Sequence, residues 1–282
     1  MKVKKLLQIS KEKLKNRGVK SPSLDLNILI SKVLNINTKS LILHSEKTLS
    51  KIQIQEFNKL LERRLSGEPI SHIIGKRGFW DFEFTVNKNT LDPRPDSETL
   101  IEEVLRIYKN QSDKKLNILE LGVGTGCLII TLLKLFSNST GLGIDISPET
   151  LKIANKNAED LKIKNRIKFI KNNWNDNITE KFDIIISNPP YIPTEQIETL
   201  QIEVRDFEPH LALDGGDDGL DCYKYIAKNI GKNLNKNGKI FLEIGQNQEN
   251  DIIKIFQYNN FKLQSIQKDL GGIVRVLCFE FI

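Results

Sequence analysis

The sequence predicts an α/β protein in which a mostly parallel sheet, wrapped by helices, is preceded by a small helical bundle. Three observations carry that expectation. From about Leu116 onward, short apolar runs alternate with helical stretches, as the strands and crossover helices of a parallel sheet do. Before Gly67 the apolar residues recur at helical spacing instead. The charge is divided as well: residues 1–80 hold 17 Lys and Arg against 6 Asp and Glu, a balance of +11, whereas residues 81–282 hold 25 against 30, a balance of −5. A basic front joined to a mildly acidic back suggests two functional parts.

The elements follow in order. Val3, Leu6, Leu7 and Leu14 make one apolar stripe that ends near Gly18. Ser21-Pro22 then opens a second helix carrying Leu24, Ile28, Leu29 and Val33, with proline in the first turn. A third helix, Ser50 to Leu65, puts Ile54, Phe57, Leu60, Leu61 and Leu65 on one face and is stopped by Gly67 and Pro69. From Gly78 to Val86 the period changes to two, which predicts a hairpin. Pro93 and Pro95 make the following stretch a stiff connector rather than a helix. The domains expected are therefore 1–75, a hairpin and proline-rich connector over 76–98, and 99–282. Strands are expected over 117–121, 141–145, 167–171, 182–187, 239–244, 261–267 and 274–281, with helices near 127–136, 148–161, 220–233 and 247–258.

Composition limits the function classes. The chain has 282 residues, 39% of them hydrophobic and 28% charged, with a mean hydropathy of −0.32. This is the balance of a globular chain with room for one large domain or two ordinary ones. No apolar run approaches the ~20 residues that span a bilayer. The basic start MKVKKLLQISKEKLK returns to lysine before an apolar core of signal-peptide length builds up, so secretion by a cleaved signal is not expected. Cys127, Cys222 and Cys278 are odd in number and far apart, which fits a reducing cytoplasm rather than a disulfide framework. No metal is expected, because neither the cysteines nor the scattered histidines have ligand spacing.

Two segments carry chemistry. Glu120-Leu121-Gly122-Val123-Gly124-Thr125-Gly126 lies where an apolar strand turns into a helix, and Asp145 ends the next apolar run. Glycines let backbone approach a ligand, and an acid at the end of the second strand can accept both ribose hydroxyls of an adenosine cofactor. A dinucleotide fingerprint needs a third glycine where Cys127 or Ile129 stands, so adenosylmethionine is favoured over a nicotinamide cofactor. The second segment, Ser187-Asn188-Pro189-Pro190-Tyr191, follows the apolar run Phe182–Ile186. Two prolines remove two N–H donors and fix the backbone. The Asn188 side chain and the Pro189 carbonyl can then hold an NH₂ group by two acceptors, with the Tyr191 ring beside a planar substrate.

Asn188–Tyr191 resembles the Asn-Pro-Pro-Tyr motif of amino-group methyltransferases that use adenosylmethionine. Among these the chain is similar to the bacterial peptide-chain release factor glutamine N5-methyltransferases. The resemblance runs over residues 67–282 through Gly67–Ile70, Phe79-Trp80, Pro93–Glu98, Glu120–Gly126, Asp145, Asn188–Tyr191, Arg205–Pro209, Gly271-Gly272 and Arg275-Val276. It implies a Rossmann-like class I methyltransferase sheet of seven strands, the last antiparallel. It also implies S-adenosyl-L-methionine as cofactor, held by Gly122, Val123, Gly124, Thr125, Gly126, Asp145, Trp174 and Asn188. Catalysis would fall to Asn188, Pro189 and Tyr191, and substrate binding to Asn188, Pro189, Pro190 and Tyr191. Asn173 stands where an acid commonly meets the adenine. The substrate implied is the glutamine of the Gly-Gly-Gln loop in class I release factors, with the basic helical domain as a docking platform. A cytoplasmic monomer is expected, with no direct nucleic acid and no membrane. Two alternatives compete: an adenine-N6 nucleic-acid methyltransferase, whose flipped base offers the same NH₂, and a non-catalytic RNA- or ribosome-binding module on the same fold.

Overall fold

A computed structural model describes residues 1–109, 113–174, 176 and 178–282. In chain order the elements begin with α1 (Val3–Asn16), α2 (Pro22–Leu34), α3 (Lys51–Leu65), α4 (Ile70–Ile74), β1 (Lys76–Phe79), β2 (Phe82–Thr85) and α5 (Glu98–Ile107). They continue through β3 (Asn117–Leu121), α6 (Cys127–Leu135), β4 (Thr140–Asp145), α7 (Pro148–Asp160), β5 (Ile167–Lys171), β6 (Phe182–Ser187) and α8 (Ile202–Arg205). The last are α9 (Asp221–Asn229), β7 (Leu234–Glu243), α10 (Glu249–Tyr258), β8 (Phe261–Lys268) and β9 (Val274–Phe281). Among the described residues no helix is long and apolar enough to cross a membrane.

These elements form two compact units, Met1–Gly75 with Gln201–Phe207, and Lys76–Leu200 with Glu208–Ile282. In the first, α1 to α3 bury Val3, Leu6, Leu14, Leu26, Leu29, Ile30, Phe57 and Leu61 in one core. Local chemistry starts its helices where the sequence predicts. Pro22 opens α2, and Ser50 and Gln53 cap α3 reciprocally: Gln53 N–H donates to Ser50 Oγ at 3.2 Å and Ser50 N–H to Gln53 Oε1 at 3.0 Å. Arg64, buried near the end of α3, donates to Asp25 Oδ2 at 2.6 Å, to Glu203 Oε1 at 2.7 Å and to the Glu68 carbonyl at 3.1 Å. Residues 201–207, remote in sequence, are thereby part of the helical unit. The segment 76–98, read from the sequence as a connector, belongs to the second unit.

The second unit is built on a seven-stranded sheet of order β5-β4-β3-β6-β7-β9-β8. β9 pairs antiparallel with both β7 and β8, and the other pairs are parallel. Alternation along the central strands sends successive side chains to opposite faces. Ile184 and Ile186 join a core with α5, α6 and α7, whereas Ile185 joins another with α9 and α10. Covered on both faces, β3 and β6 read as near-continuous apolar runs, which is why their limits match expectation.

The short helices α4 and α8 were not expected, and two further differences have a local cause. The helix α5 was not legible because Pro93 and Pro95 read as breakers. Pro95 instead opens a 3-10 turn that feeds α5, a position where a missing N–H costs nothing. Strand β7 begins at Leu234 rather than near Lys239. Asn237-Gly238 reads as a turn, but Asn237 takes a left-handed φ of 65° inside the strand while pairing with β6 shifts register.

Candidate active site

A cavity of about 410 Å³ lies at the carboxyl ends of β3, β4, β5 and β6. This is the crevice where the chain, having laid β4 and β5 on one side of β3, crosses to lay β6 on the other, and where open α/β sheets collect ligands. Its volume falls in the range of small-molecule sites, roughly 300–1,000 Å³.

The glycine turn forms one wall. Gly122, Val123, Gly124 and Thr125 line the cavity; Gly126 does not. Gly126 has φ +79°, and a Cβ there would meet Ile130 Cδ1 at 2.9 Å, so it serves the packing of α6. The turn is tied to β4 by the Val123 N–H on the Ile144 carbonyl (2.8 Å) and the Gly124 N–H on Asp145 Oδ2 (3.1 Å). Asp145 Oδ1 accepts the Ser147 N–H at 3.0 Å, which fixes the carboxylate in the cavity wall. Burial raises the Asp145 pKa, and the hydrogen bonds from Ser147, Gly124 and Ile146 oppose it. Trp174 and Asn173 complete this side, with Trp174 in a left-handed φ of 54° and its ring 6.3 Å from that of Tyr225.

Asn188 and Pro190 line the opposite side. Pro189 is buried, and neither its side chain nor the Tyr191 ring lines this cavity. Tyr191 instead packs into the core on the α9 and α10 face, where burial pushes its hydroxyl up to about 12. A Cβ at Gly245 would meet its ring at 3.0 Å, so the glycine makes room for it. Its carbonyl accepts from Gln248 Nε2 at 2.9 Å, which pins the segment from below.

Sequence reasoning left several site residues unassigned. Glu120, 2% exposed, lines the cavity and accepts the Ile129 N–H at 3.1 Å. Burial holds its carboxyl well above the ordinary range, and the Asp145 charge adds to the effect. Ser97 lines the cavity beside Asn188, whose Nδ2 donates to Ser97 Oγ at 3.3 Å. Arg94 also lines it and pairs with Glu208 at 2.6 Å; burial pushes Glu208 up to about 7. The glycine turn signals Glu120, since it precedes the first glycine by two positions. Ser97 and Glu208 lie in the segments Pro93–Glu98 and Arg205–Pro209 that carry the family resemblance, but those segments give neither residue a role, and both meet their partners only through the fold.

Comparison with known proteins fits this geometry. Residues 5–75 match the PrmC N-terminal domain and residues 112–272 match a Methyltransferase domain. A release factor glutamine methyltransferase of Agrobacterium fabrum is 39% identical over 96% of this chain and 94% of its own length. The chain belongs to the release factor glutamine methyltransferase family. A bifunctional methyltransferase of Rickettsia conorii is 38% identical over 99% of this chain, which spans only 57% of that relative's length. In three dimensions the T. thermophilus 16S rRNA N2 G1207 methyltransferase, solved with AdoMet and guanosine, shares the fold with a TM-score of 0.52 and 16% identity. That match covers 73% of this chain and 50% of the other.

The residues present fit the cofactor of a methyltransferase family. S-adenosyl-L-methionine carries positive charge at its sulfonium and ammonium groups and hydroxyls on its ribose. Glu120, buried, and Asp145, half-buried, are carboxyls at the cavity whose raised pKa values have no cation among their causes. A cationic ligand is the partner such groups lack, and it would favour their ionised forms.

Proposed function

We propose that this protein transfers a methyl group from S-adenosyl-L-methionine to the side-chain amide nitrogen of the glutamine in the Gly-Gly-Gln motif of class I peptide-chain release factors. One observation supports this above the others. Asn188, at the carboxyl end of β6, faces the same cavity as the glycine turn and Asp145. The family membership supports the choice of glutamine over a nucleobase.

When bound, the cofactor supplies an electrophilic methyl group. The chain's own residues would do the rest by placement. Gly122–Thr125 and Glu120 would hold the methionine part, Asp145 the ribose, and Asn173 and Trp174 the adenine. An amide nitrogen is a poor nucleophile because its lone pair is delocalised. The Asn188 carbonyl oxygen and the Pro189 backbone carbonyl would accept its two N–H bonds, orient the nitrogen and favour its pyramidalisation. No strong general base is needed, because a proton can leave once the nitrogen has become positive. Tyr191 acts in this reading by bracing the segment rather than by stacking on substrate.

The helical unit, with its surplus of lysine, would dock another face of the release factor, and the protein would work as a cytoplasmic monomer without direct nucleic acid. Three free cysteines, Cys127 and Cys278 buried, fit a reducing compartment. The test is a transfer assay with labelled cofactor, offering a release factor, the same factor with its Gly-Gly-Gln glutamine replaced, and duplex DNA. Label on the intact factor alone is expected. Label on DNA would favour the adenine-N6 alternative, and cofactor binding without any transfer would favour the non-catalytic one.

A further inference from the structure

The turn between β8 and β9 carries a leucine that the fold leaves bare. Leu270 is 107% exposed, more than any other large apolar side chain among the described residues. The backbone beneath it is clamped. Asp269 N–H donates to the Ile273 carbonyl at 2.9 Å, and Gly272 N–H to the Asp269 carbonyl at 3.0 Å. The Asp269 carboxylate accepts the Ile273 N–H on Oδ1 at 3.0 Å and Arg275 Nε on Oδ2 at 2.9 Å. Gly272, at φ +82°, lets the chain turn back, and a Cβ at Gly271 would come within 3.2 Å of the Asp269 Oδ1 that holds Ile273. Leu270-Gly271-Gly272 therefore presents one large side chain on a bare, braced tip. Left wholly in water, that side chain forgoes the gain of burial.

Topology puts the tip at the edge of the sheet that holds the site. Ser187, next to Asn188, pairs with Leu242 on the parallel β7, and Glu243 pairs with Val276 near the start of the antiparallel β9. The β8–β9 turn thus stands at the same end of the sheet as Asn188. In the order β6-β7-β9-β8 it lies two to three strands away, roughly 10–15 Å across the sheet. Arg275 ties it to the cavity wall: its Nη2 meets Asp96 Oδ2 at 3.3 Å, and the next residue, Ser97, lines the cavity. A small molecule held in the cavity would stop short of Leu270. A protein would not, because an ordinary interface covers about 800 Å² on each partner, a patch roughly 16 Å in radius. A protein that seats one side chain against Asn188 therefore overlies the turn. A rigid apolar anchor also loses little freedom when it is covered.

We propose that the Leu270 tip docks the protein substrate: Leu270 enters an apolar depression on the release factor beside its Gly-Gly-Gln loop and sets how the factor is seated while the glutamine reaches Asn188. The proposal rests on the methyl-transfer reading above. Leu270 touches no reacting atom, so it acts on the affinity for the factor and not on the transfer step.

The experiment uses the full chain with an intact release factor and has two arms. In the first, transfer kinetics are measured for wild type, Leu270→Asp and Leu270→Met. Leu270→Asp is expected to raise KM for the release factor by about 10- to 100-fold, with kcat, KM for the cofactor and the melting temperature nearly unchanged. Leu270→Met keeps a comparable apolar volume and should stay within about threefold of wild type. In the second arm a photoreactive benzophenone amino acid replaces Leu270, and illumination is expected to cross-link the chain to the release factor. An unchanged KM for the factor in Leu270→Asp would overturn the proposal while leaving the methyl-transfer reading intact. A cross-link to a second copy of this chain in place of the factor would overturn it too, by giving the tip another occupant. A wild type that methylates no release factor would sink the methyl-transfer reading, and the contact that rests on it, before any variant is compared.

Discussion

In the helical unit a buried cation meets two carboxylates: Arg64 lies between Asp25 at 2.6 Å and Glu203 at 2.7 Å. In the sheet unit the buried carboxyls Glu120 and Glu243 have no cation within ion-pair distance among the described residues, and burial is the largest cause of their raised pKa values. Asp25 is raised by burial too, but the Arg64 hydrogen bond and charge oppose it. The difference separates charge that holds a fold from charge left under-compensated by burial. A closed triad satisfies its members internally and needs nothing further. A carboxyl left under-compensated beside a cavity lowers stability, and it persists where binding or positioning uses it.

The comparison can be broken most severely at Arg64. Arg64→Ala leaves Asp25 buried without its cation and is expected to destabilise the helical unit by about 3–5 kcal/mol in denaturant unfolding. A loss below about 1 kcal/mol would mean that water replaces the guanidinium and that the triad is not closed. Next in size, Asn188→Ala is expected to lower kcat by about 10²- to 10³-fold while leaving the melting temperature nearly unchanged, read by transfer assay and calorimetry. Near-normal activity would remove Asn188 from the chemistry.

The third effect is on stability and depends on pH. The Glu243 carboxyl is raised from 4.5 to about 7 on folding, so its stabilising neutral form is fully present below about 4.5 and is lost as pH rises through about 7. Gln stays neutral throughout. Glu243→Gln should therefore be more stable than wild type at pH 8 by up to about 3 kcal/mol, and equal to it near pH 4.5. Equal stability at both pH values would mean that the carboxyl carries no burial penalty. Smallest is Ser50→Ala, which removes one half of the reciprocal cap on α3 and should cost about 1 kcal/mol at any pH between 5 and 8.

The strands were legible in the sequence where two-sided burial makes them continuous, as in Phe182–Ser187, and the helices where a cap or proline marks the start, as at Ser50 and Pro22. Legibility failed where one signal has two meanings. Pro95 stops a helix or starts one, and Asn237-Gly238 closes a strand or bends it. In the site, Gly122–Thr125, Asp145 and Asn188, which local motifs single out, line one cavity together with Trp174, to which only the family resemblance pointed. Gly126 and Tyr191, members of the same motifs, are placed by packing contacts outside that cavity lining. The long-range partners of Ser97 and Glu203 could not be found in this way. Ser97 meets Asn188 across 91 positions and Glu203 meets Arg64 across 139, and no local periodicity encodes a contact of that range.

The most direct measurement is fragment mass spectrometry of a release factor incubated with the protein and S-adenosyl-L-methionine, beside a parallel reaction with Asn188→Ala. One added methyl on the glutamine side chain of Gly-Gly-Gln, strongly reduced by the substitution, is the expected result. A methyl on any other residue, or the same modification at full yield without Asn188, would contradict it.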